Sequence, residues 1–206
     1  MNKKTLENFW YYHKVKVIVG IFAIIAFVMI LKLNHGKLAH DVDIAYVTDG
    51  RTISQEAEAY LNQSFAEKIQ DVTGDKNKET GFVPLMGPRV DMEFVAEGAQ
   101  IVLMDGNTLS KFINTGVLEP LDPFVNKCKL DLSGHPEINA EVPGIEGHTY
   151  AIPMKFIPLL LGVGFPSEDY YLTVRTANHK NKTSSGKNMN AHAIMETLLA
   201  LGKGMD

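Results

Sequence analysis

Between Lys16 and Lys32 the chain runs fifteen residues without a charge, VIVGIFAIIAFVMIL. No other stretch restricts the fold as much. Extended past both lysines to Val15–Leu33 the segment has nineteen positions, roughly 28 Å as an α-helix, close to the hydrocarbon thickness of a bilayer. The lysines stand near its ends, where long side chains reach back to headgroups, and FWYY at 9–12 supplies aromatic residues that favour a membrane interface. A cleaved signal peptide needs small residues before the cut; the best position, after Ala39, has Lys37 three places back. No cysteine stands at the end of the run to take a lipid. Lys3, Lys4, Lys14 and Lys16 precede it, against Lys32 and Lys37 after it, so the positive-inside rule sets the N-terminus in the cytoplasm. The sequence thus predicts a cytoplasmic segment over 1–14, a transmembrane helix over 15–33, a linker over 34–41 and an extracytoplasmic α/β domain over 42–206. The expected location is the cell membrane, single-pass, with the bilayer as partner of residues 15–33.

The rest reads as an ordinary globular chain. Of 206 residues 45% are hydrophobic and the formal net charge is −4, a balance that gives no basic surface for nucleic acid. VDIAYV (42–47) is strand-like and closes on TDGR. Thr52 and Gln55 form a capping box, and Ile53, Ala57, Tyr60, Leu61, Phe65, Ile69 and Val72 recur at helical spacing. A polar loop over 74–81 leads to the short strand FVPLM (82–86), with Pro84 suited to an edge. PRVDMEFVAEG reads as a short helix crossing to IVLM (101–104), an apolar run expected of a strand buried on both faces. A helix follows, capped by Asn107 or Thr108 and ending at Gly116. Strand alternating with helix argues for a mostly parallel sheet with flanking helices. Further on come TYAIPM (149–154), the strand YYLTVRT (170–176), a loop over 177–188 and a closing helix near 189–202.

Two phrases carry a resemblance. IVLMDGNTLSKFINTGVLEPLDPFV, with its strand, acidic turn, helix and G-x-L-x-P-L-D, and GHTYAIP, with G-x-x-Y-x-I-P, resemble the N-terminal lobe of the bacterial extracellular solute-binding proteins that serve ABC importers, sugar-binding type. The resemblance implies a periplasmic-binding-protein-like lobe spanning about residues 42–176. Members of that family run to about twice this length and close two lobes over a ligand. Here only some fifteen residues separate AIPM from YYLTVRT, which leaves a single lobe.

The open-sheet rule puts a ligand beyond the carboxyl ends of the strands. That selects Asp49, Gly50 and Arg51 after the first strand and Asp105, Gly106 and Asn107 after IVLM; the competing role for the second trio is to turn the chain and cap a helix. No catalytic motif is present, so no enzyme is expected, and no cofactor. His13, His35, His40, His135, His148, His179 and His192 are dispersed without ligand spacing, and Cys128 has no catalytic partner beside it in sequence. Asp71, Thr73, Asp75 and Asn77 place oxygens at alternate positions as calcium loops do. Lys76 stands where such a loop needs glycine, however, and Phe82 where it needs an acid, so ordinary turn chemistry is preferred. Two functions follow: a membrane-anchored solute-binding-like protein presenting a small ligand, or an accessory protein docking onto a transporter or envelope partner with no ligand of its own.

Overall fold

The computed structural model describes residues 3–35, 40–96, 98–142, 144–165, 169–177 and 181–202. Residues 36–39 of the expected linker, and Asn178, His179 and Lys180 of the expected loop over 177–188, lie outside them. The chain divides into two compact units, Met1–Ala39 and His40–Asp206.

The first unit is one α-helix, α1 (Lys3–His35), with apolar side chains such as Val19, Phe22, Ile24 and Phe27 more than half exposed. No helix among the described residues is long and apolar enough to cross a membrane. This corrects the expected transmembrane helix over 15–33 and, with it, the single-pass cell-membrane location with a cytoplasmic N-terminus. The physical reason lies in the lysines. Only the fifteen residues between Lys16 and Lys32 are free of charge, about 22 Å of helix against roughly 30 Å of hydrocarbon.

The second unit is built on a five-stranded sheet in the order β2-β1-β3-β5-β4. The strands are β1 (Val42–Val47), β2 (Thr80–Leu85), β3 (Ile101–Asp105), β4 (Ile152–Pro153) and β5 (Tyr170–Val174). β1 pairs in parallel with β2 and β3, whereas β5 runs antiparallel to both β3 and β4. The sheet is therefore mixed, not mostly parallel. The chain makes two crossovers through α2 (Gln55–Ala66) and α3 (Arg89–Val95), then wanders through α4 (Gly106–Phe112), α5 (Asp122–Cys128) and α6 (Pro158–Gly162). Without a crossover helix immediately before it, β5 is free to return in the opposite sense. The long α7 (Lys182–Gly202) closes the unit and starts seven residues before the expected 189.

Strand alternation sorts the core into two layers. Val42, Ile44 and Tyr46 of β1 and Ile101 and Leu103 of β3 pack with Leu61 and Phe65 of α2 and Ile194, Met195 and Leu198 of α7. Ala45, Val102 and Met104 point the other way, onto Val90 and Phe94 of α3 and Leu109 of α4. The central strands are thus buried on both faces, as the unbroken run IVLM requires. Pro84 sits on β2 at the sheet edge, where a missing amide costs no ladder bond.

Two caps differ from expectation. α2 is capped by Ser54, whose hydroxyl accepts from the Ala57 amide at 3.2 Å, not by Thr52. α4 is capped by Asp105, two residues before Asn107 and three before Thr108. A side-chain oxygen satisfies one of the free amides of a first helical turn in either case, and the nearer residue with extended backbone takes the role.

Candidate functional site

β1 lies between β2 and β3, so its two flanking connections leave in opposite directions and a crevice opens beyond its carboxyl end. A cleft of about 220 Å³ occupies that place, lined by Tyr46, Thr48, Asp49, Arg51, Thr52, Ile53, Gly164 and Tyr170.

The turn after β1 supplies most of the wall. Thr48 donates its hydroxyl to the Arg51 carbonyl at 2.6 Å and accepts from the Gly50 amide at 3.3 Å. Gly50 sits at φ +112°, a backbone region that side chains disfavour. The turn presents Asp49 and Arg51 as a two-pronged ion pair, Nε to Oδ1 and Nη2 to Oδ2 both at 3.1 Å. The pair holds the Asp49 carboxyl below and the Arg51 guanidinium above their ordinary values, chiefly through that hydrogen bonding. Both are well exposed, so the contact is weak and a ligand can displace it.

Tyr46 belongs to the lining yet is almost wholly buried. Its hydroxyl accepts from the Ile53 amide at 3.3 Å, and its ring meets Phe165 edge-on with centroids 5.2 Å apart. This fixes the base of the cleft to the start of α2. Tyr170 enters from β5. Burial raises its pKa, the Asp105 and Asp49 charges raise it further, and Arg51 opposes them. Its neighbour Tyr171 donates to Glu137 at 2.9 Å instead, and its pKa is pushed up to about 12 by burial and that bond.

Of the expected ligand residues, Asp49 and Arg51 line the cleft. Asp105, Gly106 and Asn107 do not: Asp105 spends both oxygens on Thr108, accepting from its amide at 3.0 Å and its hydroxyl at 2.9 Å. Gly106 opens α4 with the Tyr171 ring 3.6 Å from where a Cβ would stand, and the Asn107 carbonyl accepts from the Ser110 hydroxyl. Turning and capping account for that trio. The sequence reading missed Tyr46, Thr48, Thr52, Ile53, Gly164 and Tyr170. Position just beyond β1 would have found Thr48, Thr52 and Ile53.

The alternating oxygens at 71–77 serve the backbone. Asp71 accepts from the Gly74 and Lys76 amides and the Thr73 hydroxyl, which hold its pKa low, and Asp75 accepts from Asn77. Lys76, where a calcium loop has glycine, adopts φ +70° all the same. Among the described residues no three His, Cys, Asp or Glu side chains are grouped to hold a metal ion. Four of the histidines instead face a carboxylate: His40 with Asp43, His135 with Glu137, His148 with Asp122 and His192 with Glu119.

The second unit is therefore a mixed α/β sheet with a cleft at the point where its strand order reverses. No family model and no curated protein matches the chain. A solved structure of an extracellular solute-binding protein family 1 from Alicyclobacillus acidocaldarius subsp. acidocaldarius DSM 446 is similar at a TM-score of 0.31 and 14% identity. The match covers 54% of this chain and 27% of that one, so the chain spans about a quarter of its length.

Proposed function

We propose that the globular unit binds a small polar solute in the cleft between the turn after β1 and the start of β5. The observation that supports it is the convergence there of an Asp49–Arg51 pair, two threonines and Tyr170 over an apolar base formed by Tyr46 and Ile53. Apolar walls with a few oriented polar groups suit a small solute, and the internally neutralised pair suits one without a large net charge. Binding without catalysis is the proposed role. Thermal-shift screening of the chain against sugars, amino acids and short peptides tests it: a ligand that binds only the folded state raises the melting temperature with concentration.

A second reading, an accessory protein that docks onto a protein partner, draws on a different feature. Met86, Met92 and Val95 are exposed. Met92 and Val95 share a face of α3, and the Met86 sulfur lies 4.0 Å from where a Gly50 Cβ would stand, so apolar surface begins at the cleft rim. A cross-linked protein partner together with a flat thermal-shift screen is the result that would favour it.

A further inference from the structure

Away from the cleft, at the amino end of β1, one carboxylate is shared by two cationic groups. Asp43 takes the His40 imidazole on Oδ1 and the Lys187 ammonium on Oδ2, each at 2.9 Å. The three side chains are 27%, 19% and 17% exposed for His40, Asp43 and Lys187, so the contacts are much less screened than surface pairs. Lys187 lies 144 positions from Asp43 and belongs to the first turns of α7. Gly81 on the neighbouring β2 leaves the space, since a Cβ there would collide with both the imidazole and the carboxylate.

We propose that His40, Asp43 and Lys187 form a proton-operated clasp holding the first turns of α7 to the start of β1, tight when His40 is neutral and looser when it is protonated.

The groups facing His40 decide the sign. Asp43 binds it and Glu79, just before β2, adds a second negative charge, while Lys187 on α7 opposes. From β3, Gln100 contributes only an amide oxygen, which accepts from the Asp43 amide at 3.1 Å. Asp41 is turned away, its carboxylate engaged by the amides of Val72, Thr73 and Glu79. The hydrogen bond to Asp43 raises the His40 pKa against the opposing effect of burial. For the fold as a whole the stabilisation from that bond is complete below the ordinary value of 6.5 and is lost as pH rises through the folded value. Of the three residues only Lys187 belongs to α7, however, and because Lys187 lowers the His40 pKa, protonation of His40 reciprocally weakens the hold of Asp43 on Lys187.

The loosening has a boundary. Asn190, one turn further along α7, donates to the Asp41 and Gln70 carbonyls at 3.1 and 2.8 Å. Neither bond depends on protonation in this range. Beyond it Ile194, Met195 and Leu198 are fully buried. On the same helix His192 lies 2.8 Å from Glu119, which precedes α5, so His40→Gln is needed to separate the two histidines.

Hydrogen exchange of the full chain at pH 5.5 and 8.5, corrected for intrinsic rates, is the test. Protection of the amides at 185–188 falls severalfold at the lower pH while that at 194–199 stays level, and His40→Gln removes the difference. In parallel the NMR midpoint of His40 moves up in Lys187→Met, which deletes the competing cation. Both variants leave the core untouched. Equal protection at the two pH values, a difference that survives in His40→Gln, or a midpoint unmoved or lowered by Lys187→Met overturns the proposal.

Discussion

Tyr170 stands opposite Asp105 across the antiparallel pairing of β3 and β5. That register sets the first residue of β5 beside the carboxyl end of β3 and so brings Tyr170 into the cleft with Asp49 and Arg51. A parallel β5 would have put its last residues there instead.

Asp105 is the capping partner in this relationship, and the consequence is measurable. Asp105→Ala removes the acceptor for the Thr108 amide and hydroxyl and should cost about 0.5–2 kcal/mol in urea unfolding. Asp105→Asn, which can still cap, should recover most of the loss. Asp105→Asn with unchanged stability but lost ligand binding would instead return the residue to the binding site.

Gly81 should resist substitution although its neighbours have room elsewhere. In Gly81→Ala the new methyl meets the imidazole of His40 and the carboxylate of Asp43, both pinned by hydrogen bonds. Overpacking of this kind costs about 1–3 kcal/mol. A denaturation midpoint equal to that of the parent chain would show that the pair relaxes freely.

Asp41 is 1% exposed and its carboxylate accepts three backbone amides, from Val72 at 2.6 Å, Thr73 at 3.1 Å and Glu79 at 3.0 Å. It ties the middle of the loop between α2 and β2 to its last residue. Asp41→Ala strands those donors and should cost about 2–4 kcal/mol. Limited proteolysis should then cut within 71–79 before any other described segment of the globular unit.

Acid should weaken the fold. Burial opposes ionisation at Asp43 and Asp105, but hydrogen bonds from His40 and Lys187 in one case and from Thr108 in the other outweigh it and lower both pKa values. A lowered folded pKa gives stability that is present above the ordinary value of 3.8 and lost as pH falls through the folded value. The urea midpoint should therefore drop below about pH 4, and Asp43→Asn should flatten part of that slope.

The sequence exposed the elements that obey short-range rules. Alternating and continuous apolar runs located β1, β2 and β3, and helical spacing located α2, because burial on a sheet or along a helix face imposes those periods. Long-range choices escaped. The antiparallel sense of β5 depends on the path through α5 and α6, which no local pattern encodes, and Tyr170 was hidden with it. Ser54 and Asp105 took caps assigned to Thr52 and Asn107 because several oxygen-bearing residues stood within one turn of each helix start. For α1, composition suggested a span of nineteen positions, whereas the charges at Lys16 and Lys32 shorten the apolar part to fifteen.

Two-dimensional NMR of the chain titrated with mono- and disaccharides, amino acids and dipeptides tests the cleft most directly. A ligand should shift the amides of 48–53, Gly164 and Tyr170, and Arg51→Ala and Tyr170→Ala should each weaken it about tenfold, or about 1.4 kcal/mol. Shifts confined to another surface, or none with any solute, would contradict the assignment of this cleft as a binding site.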